Sequence, residues 1–177
     1  MAKTKVFILE DENIVAKDIE QSLKKLGYDV VGIASSGEKV KEILNKGLRP
    51  EIFLMDIMIK GEMNGIEVAE YVKENYNLPV IFLTAYADED TLSKAKITEP
   101  YGYILKPFKE IDLHTTIEMA LYKHQKTAEL KKELDVYSSL VSESKNGKEF
   151  VFVKNKSKLI KISVEDLFYV EALKDYV

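Results

Sequence analysis

Five polar residues stand directly after short apolar runs. Glu10 and Asp11 follow Val6 to Leu9, Asp56 follows Ile52 to Met55, Thr84 follows Val80 to Leu83, and Lys106 follows Tyr101 to Leu105. If those runs are parallel strands, all five residues share the carboxyl edge of one sheet, which is where open α/β sheets place their ligands. Carboxylates brought together repel one another when ionised and call for a cation. Oxygen donors without nitrogen or sulfur favour magnesium. An aspartate beside Mg2+ can attack a phosphoryl group, and the aspartyl phosphate then needs a hydroxyl and an ammonium to hold its oxygens. Thr84 and Lys106 supply both. Each residue also has a plainer reading, as a cap, a strand filler or a solvated lysine, and it is the common register of all five that carries the chemistry.

The elements that must position these residues are legible as alternating apolar runs and amphipathic stretches, the sequence form of a parallel sheet with crossover helices. Ile14, Val15, Ile19, Leu23 and Leu26 follow helical spacing up to Gly27. Val30 to Ala34 reads as a strand. Ser36 stands where it could cap a helix carrying Val40, Ile43 and Leu44, closed by Gly47 and Pro50. After a loop with Gly61 and Gly65, residues Ile66, Ala69 and Val72 share a helical face. Asp88 opens a short helix bearing Leu92 and Ala95, which Pro100 breaks. A fifth helix begins near Leu113. The expected fold is therefore α/β, a (βα)5 doubly wound five-stranded parallel sheet.

The fifth helix continues past the point where such a domain would end. Leu113, Ile117, Ala120 and His124 run on into Leu130, Leu134, Tyr137 and Val141, a 4, 3, 4 spacing that fits a coiled-coil seam or a solvated linker. Asn146-Gly147 then reads as a turn, and residues 149–154 and 158–163 alternate as a hairpin does. The 177 residues carry a net charge of −4, with 46% apolar and 32% charged side chains, the balance of a soluble globular protein. Charge is uneven: six lysines from Lys145 to Lys161 against Glu149 make that stretch +5 and leave about −9 elsewhere. Such a stretch suits nucleic acid or protects an edge strand, and the chain has only Arg49 to offer a base-reading fork. The absence of cysteine excludes disulfides, thiolate zinc sites and thiol nucleophiles, and His114 and His124 are too few for a histidine cage. The N-terminal apolar run is far too short for a signal or a membrane span, so a cytoplasmic protein with no membrane partner is expected.

The strings FILEDE, IFLMDIM, VIFLTAY and YILKPF make residues 4 to about 125 resemble the receiver domain of two-component response regulators, with a flavodoxin-like fold. The resemblance implies Asp56 as phosphoacceptor, with Glu10, Asp11, Asp56 and the backbone carbonyl of Met58 around Mg2+. It implies Thr84 and Lys106 on the phosphoryl oxygens, a cis peptide before Pro107, and a switch aromatic at Tyr103, whose plainer reading is sheet-edge packing. The acid pair is Glu-Asp where many members have Asp-Asp, which lengthens one ligand. Met58 and Tyr86 occupy the positions that gate water in the family. Both are bulky and neither is a good base, so slow autodephosphorylation is expected.

The segment FVFVKNKSKLIKISVEDLFYVEALKDYV is similar to the opening of LytTR-type DNA-binding domains, through Glu165, Asp166, Leu167, Tyr169, Glu171, Ala172, Asp175, Tyr176 and Val177. The implied organisation is a receiver over residues 1–125, a helical extension over 126–147, and the incomplete start of a LytTR-type effector over 148–177. The implied activity is phosphate acceptance from a sensor histidine kinase, with self-catalysed phosphotransfer and autodephosphorylation rather than turnover. Its expected outputs are homodimerisation on phosphorylation and transcription control at promoter DNA by the complete effector. The alternative is a phosphorelay or protein-interaction module without direct DNA binding. A haloacid dehalogenase-type phosphatase would need an aspartate where Met58 stands.

Overall fold

The computed structural model describes residues 2–85, 93, 95–142, 150–155 and 158–163. Two compact units divide at Thr127 and Ala128. The first contains β1 (Lys5–Leu9), α1 (Asn13–Lys25), β2 (Asp29–Ala34), α2 (Gly37–Asn45), β3 (Ile52–Asp56), α3 (Gly65–Tyr76), β4 (Val80–Thr84), β5 (Gly102–Leu105) and the first part of α4 (Glu110–Ser142). Residues 95–97 are helical as well.

The five strands are parallel and ordered β2-β1-β3-β4-β5, so strand order reverses at β1 and β3. This is the flavodoxin-like doubly wound arrangement. Strands covered on both faces read as unbroken apolar runs, and β3 and β4 are buried at every residue. Their side chains still sort by parity. Phe7, Leu9, Phe53, Met55, Val80 and Phe82 join Val40, Leu44, Val68 and Val72 of α2 and α3 on one face. Val6, Ile8, Ile52, Leu54, Ile81 and Leu83 join Ile19 and Leu23 of α1 and Leu113, Ile117 and Ala120 of α4 on the other. Each such aliphatic or aromatic side chain contributes about 1.5–3 kcal/mol on full burial, so the register is strongly determined.

Helix ends follow local chemistry. Lys24 and Lys25 lie in the last turn of α1, where the helix dipole favours cations, and Gly27 leaves it at φ 91°. At α3 the Asn64 side chain accepts from the backbone N–H groups of Ile66 and Glu67 while Glu67 reaches back to the Asn64 N–H, a capping box. Two expectations change. Ser36 is the N-cap of α2 but makes no side-chain capping bond; its hydroxyl instead lowers the pKa of the nearby Glu38 carboxyl. Ile14, expected on the packed face of α1, is 85% exposed because it falls off the stripe formed by Ala16, Ile19 and Leu23, while Val15 and Ala16 of the same turn are packed.

The second unit contains an antiparallel hairpin of β6 (Phe150–Asn155) and β7 (Lys158–Ser163). Its register pairs Val151 with Ile162 and Val153 with Ile160 on one face, and Phe152 with Lys161 and Lys154 with Leu159 on the other. The Asn146-Gly147 turn, the Asp88 cap with Leu92, and the segment from Val164 to Val177 lie outside the described residues.

Candidate functional site

The site lies at the carboxyl ends of β1, β3, β4 and β5. Asp56 is the last residue of β3 and pairs in register with Leu83, one residue before Thr84, which in turn pairs with Leu105 beside Lys106. The Lys106 N–H donates to the Thr84 carbonyl at 2.8 Å, tying the two strand ends together, and the Lys106–Pro107 peptide is cis. Thr84 is buried.

Lys106 is the centre of the site. Its Nζ donates to Glu10 Oε2 and to Asp56 Oδ2, both at 2.6 Å, with the Glu10 side chain fully buried. Bonds of this length between ionised partners belong to the strong, charge-assisted class. The remaining oxygens are also occupied: Asp56 Oδ1 accepts the Met58 N–H at 2.8 Å, and Glu10 Oε1 accepts the Glu12 N–H at 3.2 Å. Burial pushes the Glu10 carboxyl above its usual range, and the bond and charge of Lys106 only partly offset that. Burial alone would lower the Lys106 ammonium, but the bonds to Asp56 and Glu10 outweigh it and hold the amine above its ordinary value. The chemical result is a carboxylate oriented by two donors at the end of a buried strand, one of them an ammonium, with buried Thr84 ending the neighbouring strand.

Asp11 faces a different cation, with Oδ2 3.1 Å from Lys60 Nζ. The donor set of Glu10, Asp11 and Asp56 is all oxygen and fits a hard divalent cation in kind. Yet among the described residues no three His, Cys, Asp or Glu side chains are grouped as a ready metal cage. In this arrangement lysines, not a cage, compensate the acids.

Tyr103 lies on β5 with its ring 5.8 Å from that of Phe82, against the core face shared by α2 and α3. Its hydroxyl is buried with no hydrogen-bond partner among the described residues, and burial raises its pKa. Met58 is 70% exposed, while its backbone N–H is committed to Asp56. Tyr86 lies outside the described residues.

Two contributors are not evident from residue type. Gly65 opens α3 against the site: a Cβ there would lie 2.0 Å from the Asp56 carbonyl oxygen and 2.9 Å from Ile57 Cα. Only glycine permits that approach, and the Gly65 N–H donates to the Ile57 carbonyl at 3.0 Å. Lys60 is the other, since its partner Asp11 is remote in sequence. Both histidines prove to be structural: Tyr28 donates to Glu118 and bonds His114 Nδ1, each at 2.8 Å, and His124 Nδ1 bonds Tyr101 at 3.1 Å.

Residues 6–118 match the response regulator receiver domain family. The chain is 30% identical over 122 residues to the phyllosphere-induced regulator PhyR of Methylorubrum extorquens, covering 69% of this chain and 45% of that protein. It is 28% identical over 134 residues to the transcriptional regulatory protein PdtaR of Mycobacterium tuberculosis, covering 76% and 64% respectively. It thus spans less than two thirds of either relative. The signal receiver domain of a modulated diguanylate cyclase from Desulfovibrio desulfuricans superposes with a TM-score of 0.67 at 39% identity, covering 70% of this chain and 98% of that one. With every residue converging on Lys106 inside the matched span, this chain belongs to the response regulator receiver domain family.

Proposed function

We propose that Asp56 is the phosphoacceptor and that this chain is the receiver of a response regulator phosphorylated by a sensor histidine kinase. The observation that carries the reading is the Lys106 ammonium held 2.6 Å from both Glu10 and Asp56. One Asp56 oxygen forms a bond to phosphorus as the phosphorus–nitrogen bond of the kinase phosphohistidine breaks, and the electron pair leaves with the imidazole. Lys106 then exchanges its bond to the attacking carboxylate for one to a phosphoryl oxygen, and the Thr84 hydroxyl donates to another. Glu10, Asp11, Asp56 and the Met58 carbonyl are the groups that would hold Mg2+, which when bound supplies further neutralisation of phosphoryl charge. The protein acts as a phosphoacceptor rather than a turnover enzyme.

Thr84 moving toward the phosphate and Tyr103 packing behind it form the two-state element. The surface it remodels carries exposed Leu105, Ile111, Met119 and Tyr122 along β5 and α4, which supports pairing of two copies when Asp56 is phosphorylated. The LytTR-like pattern of the C-terminal segment and the name of PdtaR support transcription control as the output.

The test is exposure to acetyl phosphate or a phosphorylated histidine kinase with Mg2+, with phosphate uptake read by intact mass. Wild type should gain one phosphoryl group and Asp56→Asn none. Acid-labile phosphate persisting on Asp56→Asn would overturn the assignment. Promoter binding by the protein tests the transcriptional output, and none would leave a protein-interaction role.

A further inference from the structure

The three carboxylates of the site are divided between two lysines of opposite character. Lys106 is 15% exposed and holds the buried pair Glu10 and Asp56. Lys60 is 89% exposed and holds Asp11, itself 10% exposed, at 3.1 Å. A bridge to so exposed an ammonium contributes little and breaks easily, whereas breaking a buried one strands a charge. Removing Lys60 from Asp11 is thus the least costly way to free a carboxylate here. Charge points the same way: Glu10, Asp11 and Asp56 against Lys106 leave −2, which one divalent cation would cancel.

Lys60 leads into a turn. Gly61 follows at φ 135°, a conformation that disfavours any side chain, and a Cβ there would come within 3.3 Å of Glu38 Oε2. The Glu38 carboxyl lies against this turn, and the Ser36 hydroxyl first, then the nearby backbone N–H groups, keep it below the usual carboxylate range. A carboxylate of α2 therefore lies against the turn that follows Lys60, and Lys60 reaches Asp11 from that turn.

We infer that Lys60 is a placeholder cation: it neutralises Asp11 in the metal-free protein and yields that carboxylate to a divalent cation, setting the concentration at which the site loads. This rests on the reading of Glu10, Asp11 and Asp56 as the Mg2+ ligands. Mg2+ affinity of the unphosphorylated chain is measured by calorimetry in low salt for wild type, Lys60→Gln and Lys17→Gln, the last an exposed lysine of α1 serving as the control for net charge. Lys60→Gln should bind Mg2+ about two- to fivefold more tightly, with the gain shrinking at ~0.5 M salt, and Lys17→Gln should match wild type. Equal or weaker binding by Lys60→Gln, or an equal gain in Lys17→Gln, overturns the placeholder role while leaving the metal site standing. Absence of Mg2+ binding in all three proteins overturns the metal reading itself, and the placeholder with it.

Discussion

Removing the Tyr103 hydroxyl should stabilise the unphosphorylated protein. The oxygen is buried without a hydrogen-bond partner among the described residues, so folding strips it of water and returns nothing. An unsatisfied buried hydroxyl costs about 1–3 kcal/mol, and Tyr103→Phe deletes that oxygen alone while leaving the ring against Phe82. The gain should lie near the lower end, about 1 kcal/mol, because Tyr103 itself is only half-buried and can relax. That corresponds to a rise in midpoint of about 3–6 °C. Urea titration of the metal-free, phosphate-free protein, followed by circular dichroism, measures it directly. The two-state reading adds a second expectation. If the hydroxyl finds a partner only in the phosphorylated state, the advantage of Tyr103→Phe must shrink when Asp56 carries phosphate. A variant equal to or less stable than wild type would show that the hydroxyl is satisfied before phosphorylation, and the poised-switch argument would fail.

Three further outcomes follow from the same geometry. Gly65→Ala places a carbon 2.0 Å from the Asp56 carbonyl oxygen, against ~3.5 Å for relaxed contact, so it should cost about 1–3 kcal/mol in urea stability and slow phosphate uptake; wild-type values for both would refute the close approach. Burial holds His124 below the usual 6.5, so the unfolded chain takes up the proton first; the stabilisation is complete above pH 6.5 and is lost as pH falls from there through the lower folded value. His124→Gln should flatten stability against pH below 6.5, and an unchanged slope would assign it elsewhere. Replacing the bulky residues expected to gate water, in Met58→Asn or Tyr86→Ala, should speed loss of phosphate roughly tenfold by admitting an oriented water; if neither variant accelerates hydrolysis, the gating idea fails.

The sheet was legible because burial on both faces leaves continuous apolar runs, and the polar residue that ends each run marks the shared edge. Asp56, Thr84 and Lys106 could be placed for that reason. Helix ends were less legible: Ser36 reads as a cap and stands at the N-cap position, but its hydroxyl makes no capping bond. Ile14 reads as core beside Val15, yet the buried stripe of α1 runs through Ala16, Ile19 and Leu23 and leaves Ile14 outside it. The pairing of Lys60 with Asp11 has no sequence signal, since the two are remote in the chain. Gly65 is hidden for a similar reason: a glycine in a loop does not announce a backbone approach to Asp56.

The central claim is that Asp56 becomes phosphorylated. Treating the protein with acetyl phosphate and Mg2+, reducing the acyl phosphate with borohydride, and locating the modified residue by peptide fragmentation tests it most directly. The account predicts a single reduced residue at position 56, absent without phosphodonor and absent in Asp56→Asn. Modification at Glu10 or Asp11, or none at any carboxylate, would contradict it.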